Sequence, residues 1–260
     1  MMQELLRKGW KMLRRPTLIY HVGNRTYKVF TPYGANHKAA ELSGNSGAMQ
    51  AKFWENQVLA IEPQLFGFAM QRGEPISPVS VEIADAFIAA KLRQALEQPN
   101  QWRTVAEGLD FCRLRHLGHK GMCLRLLRKA EEELNTVYLP QTSSHGDLHI
   151  DNMVLLDQQT KLIDWSMFNP RGTFVTDYIH YYNNQVKILS KESWTRSILK
   201  RHPEIEALAS QVGSTPRLLK LAYALARISG ETLQSRYLSR VATKQVEKYN
   251  YVLTQLQHES

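Results

Sequence analysis

The polar stretch HGDLHIDN, residues 145–152, runs directly into a pattern that constrains the local fold more than any other part of the chain. Two short apolar runs follow it, NMVLL at 152–156 and KLIDW at 161–165, and the turn-forming residues DQQT separate them. Two β-rich runs joined by such a turn predict a β-hairpin. The loop 145–152 is therefore expected to end on the first strand of a short hairpin.

The predicted hairpin brings polar side chains together at its open end. Asn152 begins the first strand and Asp164 follows the second, while Asp147 lies on the loop that leads to the same end. Two carboxylates and an amide oxygen are hard ligands of the kind that magnesium prefers, and the sulfur or multiple-histidine ligation typical of zinc is absent from the pattern. These residues alone are compatible with a polar turn, a metal site or the floor of a phosphate-transfer site. His149 is compatible with a structural role or with a substrate contact.

The first third of the sequence predicts a small β-sheet. TLIYH (17–21) and TYKVF (26–30) are β-rich runs on either side of a Gly23-Asn24 pair, which is a hairpin signal. LFGFAM (65–70) is a further strand candidate.

The residues between these strands are expected to form one mobile segment and one helix. Residues 31–47 are rich in Gly, Ser and Asn and predict a mobile connection. Residues 48–63, AMQAKFWENQVLAIEP, have apolar side chains at helical spacing and end at a proline, so they predict an amphipathic helix.

From about residue 72 the pattern changes from β-containing to mostly helical. Apolar stripes through 84–96 and 121–138 predict helices, and so does most of the chain after the hairpin. The predicted fold class is therefore α+β and bilobal. A small β-containing N-terminal lobe covers residues 1–72, and a larger helical C-terminal lobe with the embedded hairpin covers residues 73–260.

The motif pattern resembles a known signature. H-x-D-x-x-x-x-N, followed twelve residues later by an aspartate behind two apolar residues, resembles the catalytic and metal-binding signature of the protein-kinase-like superfamily. HGDLHIDN with LIDW is most similar to its aminoglycoside phosphotransferase, choline kinase and sugar-kinase branch. The resemblance implies a protein-kinase-like fold, ATP and Mg²⁺ as cofactors, and transfer of the γ-phosphate to a hydroxyl of a small molecule.

The resemblance also implies roles for single residues. Asp147 would be catalytic, orienting the acceptor hydroxyl and taking its proton, and Asn152 and Asp164 would hold the magnesium ion that bridges the ATP phosphates. His145 would support the loop from beneath. Asp177, in TDYIHYY, would accept hydrogen bonds from the backbone of the catalytic loop.

A phosphate-transfer site also requires a cation beside the nucleotide phosphates. Lys28, in the middle of TYKVF, is the candidate, and the resemblance implies a glutamate partner on the following helix. Glu55, in the predicted helix, is assigned as that cofactor-binding partner, with Glu41 as the alternative. No G-x-G-x-x-G loop precedes Lys28, so a nucleotide-binding pseudokinase stays an alternative.

The charge and hydropathy of the chain limit its partners and location. A formal net charge of +9 suits a nucleic acid, an anionic lipid surface or a phosphorylated substrate. No nucleic acid is expected, because no zinc-knuckle, helix-turn-helix or aromatic RNA-reading motif is present. The basic amphipathic N-terminal stretch is compatible with peripheral contact to an anionic membrane surface. No secretory or membrane-spanning segment is apparent, which predicts a cytoplasmic protein.

The C-terminal helices narrow the expected acceptor. From Tyr178 onward the sequence has twelve Lys and Arg, six Glu and no Asp. A polycationic aminoglycoside needs a pocket dense in carboxylates, so a sugar, a glycolipid sugar or another neutral or anionic metabolite is expected instead. A protein kinase or effector of the same fold is the alternative. Only twelve residues separate Asp164 from Asp177, which is short for a peptide-docking loop.

Overall fold

The computed structural model describes residues 17–76, 81–97, 102–234 and 243–258. Within them a β-containing N-terminal part precedes a helical part with an embedded hairpin, so the predicted α+β class is confirmed. No described helix combines the length and the apolar character that a membrane crossing requires. The basic stretch 1–16, predicted to touch a membrane surface, lies outside the described residues.

The N-terminal part is built on a four-stranded antiparallel sheet. The strands are β1 (Thr17–Val22), β2 (Arg25–Phe30), β3 (Ile61–Gln64) and β4 (Gly67–Gln71), in the spatial order β1-β2-β4-β3. β1 and β2 form the predicted hairpin, and Gly23 in its turn has a φ of 56°. Because β2 pairs on both sides, its backbone is fixed by two neighbouring strands.

The stretch rich in Gly, Ser and Asn is a helix, α1 (Ala35–Gln50), and not the predicted mobile connection. Its glycines allow close packing. A Cβ at Gly44 would lie 1.8 Å from the carbonyl oxygen of Trp165, and a Cβ at Gly47 would lie 2.8 Å from the ring of Phe168. The prediction was wrong because glycine has a low helix propensity, whereas here its missing side chain lets α1 lie directly against the segment after the hairpin.

The predicted amphipathic helix at 48–63 is also wrong. Residues 52–54 form one turn of 3₁₀ helix, and the chain then extends into β3. Phe53 and Trp54 are buried, as their apolar pattern required, but they pack edge to face from this short turn with ring centroids 4.9 Å apart. Pro63 lies in β3, an edge strand, where a missing N–H is tolerated.

Two small sheets lie in the second part of the chain. β5 (Glu74–Pro75), β8 (Met153–Leu156) and β9 (Gln159–Leu162) form an antiparallel sheet in the order β5-β8-β9, which contains the hairpin predicted after HGDLHIDN. The other sheet pairs β6 (Trp102–Thr104) with β7 (Tyr138–Pro140). The predicted boundary at residue 72 falls between the first sheet and β5, and the division into two domains stays a prediction.

Helices account for most of the second part. They are α2 (Val81–Leu96), α3 (Phe111–Arg115), α4 (Leu124–Leu134), α5 (Phe174–Ser190), α6 (Trp194–Ser197), α7 (Pro203–Gln211), α8 (Pro216–Gln234) and α9 (Thr243–His258). The predicted stripe on α2 is buried at Ala84, Ile88, Leu92 and Ala95. The helix predicted at 121–138 is shorter, at 124–134. α8 is the central helix, because α4, α5, α7 and α9 all pack against it.

Candidate active site

The loop that begins at His145 is held by one buried carboxylate. Asp177, in the first turn of α5, accepts hydrogen bonds from the backbone N–H groups of His145 (2.7 Å) and Gly146 (2.8 Å). Gly146 has a φ of 86°, and a Cβ there would lie 2.4 Å from the carbonyl oxygen of Met167, so the position favours glycine. Burial raises the pKa of Asp177 to about 7, although the two N–H bonds lower it. These are the backbone contacts that the resemblance implied for Asp177.

His145 ties the same loop to the end of the hairpin. Its side chain is fully buried, its Nε2 lies 3.0 Å from the carbonyl oxygen of Ile163, and its ring packs on Trp165 with centroids 4.5 Å apart. The backbone N–H of Asp147 donates to Nδ1 at 3.3 Å. Burial lowers the pKa of His145, which favours a neutral ring that donates from Nε2 and accepts at Nδ1. These contacts join the start of the loop to the end of the hairpin.

The open end of the hairpin holds Asn152 and Asp164. The backbone N–H of Ile163 donates to the carbonyl oxygen of Asn152 at 3.1 Å, and the side-chain Nδ2 of Asn152 donates to the carbonyl oxygen of Asp147 at 2.8 Å. Asp164 has a φ of 61°, a left-handed conformation that is uncommon outside glycine, and its Oδ1 accepts from the hydroxyl of Ser166 at 2.8 Å. Such backbone strain is concentrated at functional sites.

Lys28 connects the N-terminal sheet to this end of the hairpin. Its Nζ donates to Oε2 of Glu41 at 2.6 Å and to Oδ2 of Asp164 at 3.2 Å. Burial lowers the pKa of Lys28, but Asp164 and Glu41 outweigh it and the net shift is upward. Burial and the nearby Asp164 raise the pKa of Glu41 to about 7, against the effect of Lys28. Two carboxylates therefore share one ammonium group.

Glu41, on α1, pairs with Lys28, so the pairing assigned to Glu55 is wrong. Glu55 is exposed and follows the 3₁₀ turn at 52–54. The error came from the position of the helix, because a helix at 48–63 would carry Glu55. The helix that forms is α1, which carries Glu41, and the close contact at Gly44 holds it against the segment after the hairpin. Glu41, the alternative weighed from the sequence, is the glutamate that contacts Lys28.

Asp147 lies in a network that the sequence did not predict. Its Oδ1 accepts a hydrogen bond from Nη1 of Arg227 at 2.5 Å and lies 3.2 Å from Nε2 of His180, and its Oδ2 lies 3.8 Å from Nε2 of His149. Burial raises the pKa of Asp147, but His149, His180 and Arg227 outweigh it and hold the pKa well below its usual range. Asp147 is therefore ionised at neutral pH.

The two unpredicted members of this network differ in how much sequence signal they carry. His180 lies three residues after Asp177 in TDYIHYY, so helical spacing alone would have placed both side chains on one face of α5. Arg227 lies 80 positions after Asp147 and carries no local signal. Burial lowers the pKa of His180 to about 4, so its ring is neutral, and its Nδ1 lies 2.8 Å from the hydroxyl of Tyr223.

A cavity of about 380 Å³ opens directly beside Asp147. The loop lines one side of it, and one face of α5, the start of α6 and Arg227 line the rest. The lining residues include Asp151, His180, Asn183, Lys187 and Trp194. This volume lies within the range of roughly 300–1,000 Å³ that is typical of small-molecule sites.

The described residues thus form an α+β protein in which Lys28 on the antiparallel sheet contacts Glu41 on α1 and Asp164 at the end of the hairpin, and the side chain of Asn152 contacts the loop at Asp147. No protein-family profile and no curated protein matches the sequence. Solved structures that match the chain include choline kinase from Cryptosporidium parvum Iowa II, with 9% identity, a TM-score of 0.42 and coverage of 98% of this chain and 94% of that one.

Two further structures match over a similar length. A choline/ethanolamine kinase family protein from Mesorhizobium loti has 11% identity and a TM-score of 0.44, with 99% of both chains covered. The aminoglycoside phosphotransferase APH(4)-Ia has 12% identity and a TM-score of 0.47, with 98% of this chain and 99% of that chain covered.

Proposed function

We propose that this protein is an ATP- and Mg²⁺-dependent phosphotransferase that moves the γ-phosphate to a hydroxyl of a small molecule. The observation that carries the proposal is the position of Lys28, whose ammonium contacts both Glu41 and Asp164. Asp164 lies 136 residues after Lys28 in the chain. A cation fixed by a helix carboxylate beside a second, half-exposed carboxylate is the arrangement that protein kinases use for nucleotide phosphates. In this proposal residues 1–72 bind the nucleotide and residues 73–260 supply catalysis and the acceptor site.

The donor groups at the hairpin end fit a magnesium ion. Asp164 offers a carboxylate that is 34% exposed, and Asn152 offers an amide oxygen, since its nitrogen is turned toward the backbone of the loop. Magnesium in phosphate-transfer sites is usually held by one or two such groups together with the phosphates. When bound, it would neutralise charge on the phosphate oxygens.

Asp147 acts on the acceptor. Its ionised carboxylate faces the cavity and would accept the hydrogen bond of the reacting hydroxyl, which orients the oxygen toward the γ-phosphorus. As the new O–P bond forms, the bond from phosphorus to the β–γ bridging oxygen breaks, ADP leaves, and the hydroxyl proton passes to Asp147. A strong base is not required, because the transition state of phosphoryl transfer is largely loose and catalysis depends mainly on positioning and electrostatic stabilisation.

The segment after Asp164 favours a small acceptor over a peptide. Ser144 and Asn169 exchange two backbone hydrogen bonds (2.9 and 3.0 Å), and the N–H of Ser143 donates to the carbonyl oxygen of Gly172 at 3.0 Å. These bonds hold the short segment against the loop, so it offers no long extended strand for docking a protein substrate. ATP as donor agrees with the predicted cytoplasmic location.

The test separates binding from transfer. Isothermal titration of Mg²⁺–ATP should show binding for the wild type and for Asp147→Asn, and at least tenfold weaker binding for Asp164→Ala, while Asp157→Asn, at the exposed hairpin turn, serves as the matched control. ADP release with a panel of hydroxylated metabolites should then exceed the Asp147→Asn blank for at least one acceptor. Nucleotide binding without transfer to any acceptor would indicate a pseudokinase, and full activity in Asp147→Asn would contradict the role of that residue.

A further inference from the structure

The cavity beside Asp147 is close to electrically balanced. The guanidinium of Arg227 is shared between Asp147 (2.5 Å) and Glu231 (2.9 Å), and His180 is neutral at pH 7 because burial lowers its pKa to about 4. The other titratable lining residues are Asp151, Lys187 and His149, and the His149 ring lies between Asp147 (3.8 Å) and Asp151 (3.6 Å). The side chain of Asp151 is 78% exposed, so solvent screens it. The charges that line the cavity therefore favour neither a polycation nor a polyanion.

The wall formed by α5 is polar along one helical face. His180, Asn183, Asn184 and Lys187 follow the i, i+3, i+4, i+7 spacing, so their side chains lie in one row that extends over roughly 10 Å at 1.5 Å per residue. A row of this length is longer than one hydroxyl group can contact. An acceptor held against this row would use several polar groups in addition to the reacting one.

Asn183 leaves a hydrogen-bond acceptor unused. The residue is 1% exposed, its Nδ2 lies 3.4 Å from the hydroxyl of Tyr223, and its Oδ1 makes no hydrogen bond to the described part of the chain. A buried polar atom without a partner is uncommon in folded proteins and calls for a ligand or water. An amide oxygen needs a donor, and a second hydroxyl of the acceptor supplies one.

Trp194, at the start of α6, supplies an apolar surface among the residues that line the cavity. Its ring packs against Tyr249 with centroids 6.3 Å apart, which fixes its orientation, and the side chain also lines the cavity. A rigid indole offers a large flat area for the C–H face of a ring. A quaternary ammonium group is usually held by a cage of several aromatic rings, and Trp194 is the single Trp, Tyr or Phe among the described residues that line this cavity.

We propose that the acceptor is a neutral, polyhydroxylated molecule about the size of a monosaccharide. One hydroxyl lies at Asp147, a second donates to Asn183, and the apolar face of the molecule rests on Trp194. This inference rests on the proposed phosphotransferase function and narrows it to one acceptor class.

The first test compares acceptor classes with the full chain and Mg²⁺–ATP. D-Ribose, D-glucose and D-sorbitol represent the neutral class, glucose 6-phosphate and D-glucuronate the anionic class, and kanamycin and choline the cationic class. ADP release should be raised at least tenfold by a neutral compound and not by the others. Stimulation confined to charged compounds would overturn the inference and leave the phosphotransferase function standing, whereas no transfer to any compound would overturn both.

The second test removes the two contacts. Trp194→Leu and Asn183→Leu should each lower kcat/KM for the preferred neutral acceptor at least tenfold, mainly through KM, and Tyr251→Leu, an exposed aromatic residue on α9, should not. The midpoint of thermal unfolding and the affinity for Mg²⁺–ADP identify a variant that has lost its fold. A folded Trp194→Leu protein with unchanged KM would show that the acceptor does not rest on this ring.

Discussion

The guanidinium of Arg227 lies 2.5 Å from the carboxylate of Asp147 and joins α8 to the loop that begins at His145. The two side chains are only 18% and 25% exposed, so the ion pair is shielded from most solvent. Asp147 therefore remains ionised over the whole physiological pH range, and its position depends on a helix that lies far away in sequence.

Replacing Arg227 should change the pH dependence of activity. In Arg227→Met the positive charge that helps to lower the pKa of Asp147 is gone, so that pKa should rise and the acid limb of kcat/KM should move to higher pH. In the wild type this limb lies below pH 4, because the pKa of Asp147 is held well below its usual range. In a profile of kcat/KM from pH 4 to 8 we therefore expect Arg227→Met to lose activity toward pH 4, where the wild type keeps it. Arg201→Met, an exposed residue paired with Glu206, is the control, and an identical acid limb in both variants would refute the coupling.

Replacing Glu41 should weaken nucleotide binding, and replacing Glu55 should not. Glu41→Gln removes one of the two carboxylates that hold the ammonium of Lys28. The ammonium then pairs with Asp164 alone. We expect the Kd for Mg²⁺–ATP to rise about tenfold, equivalent to about 1.4 kcal/mol. Glu55→Gln is the matched control because the two glutamates were the competing assignments. Equal affinities for both variants in calorimetric titration would argue against the Lys28–Glu41 pair.

The buried Lys91 should make the protein more stable as pH rises above about 8. Its Nζ donates to the carbonyl oxygen of Phe53 and to Gln94 at 2.8 Å and lies 3.8 Å from the ring centroid of Phe53, and none of its contacts in the described part of the chain is a carboxylate. Burial lowers the pKa of Lys91 from 10.5 to about 8.

The sign of this effect follows from proton binding. Between about pH 8 and 10.5 the unfolded chain holds the Lys91 proton and the folded chain releases it, so the free energy of unfolding rises with pH in this window. Urea denaturation at pH 7.5 and 9.5 should show a gain on the order of 1–2 kcal/mol from this group. Lys91→Met should lack that part of the gain, and the same pH dependence in wild type and variant would exclude Lys91 as its source.

Placing a methyl group at Gly44 should destabilise the fold, although alanine favours helices. Helix propensity alone predicts that Gly44→Ala gains about 1 kcal/mol. The new Cβ would instead lie 1.8 Å from the carbonyl oxygen of Trp165, and relieving such an overlap usually costs about 1–3 kcal/mol. The free energy of unfolding should therefore fall, and Mg²⁺–ATP binding should weaken as α1 moves. Ser46→Ala, on the exposed side of α1, controls for propensity. A stabilised Gly44→Ala protein would contradict the packing of α1 against residue 165.

Local sequence signals were sufficient to predict several elements of the fold and part of the site. The turn between β1 and β2, the hairpin β8–β9 and the stripe on α2 are each defined by residues close together in the chain. The glycine of the HGD motif is also explained locally. Gly146 has a positive φ, and its position leaves no room for a side chain. Patterns of this kind report local backbone preference and the side of an element that is buried.

The sequence by itself determined the α+β class, the hairpin with its polar end, and the residues Lys28, Asp147, Asn152, Asp164 and Asp177 as candidates. Only the tertiary structure decided which glutamate meets Lys28, that a glycine-containing segment is a helix, and that Arg227 and His180 surround Asp147. These depend on contacts between residues far apart in sequence, such as Gly44 with Trp165 and Asp147 with Arg227. Long-range packing overrides local propensity there, since the close approach of two backbones or the burial of a charge pair leaves no periodic trace along the chain.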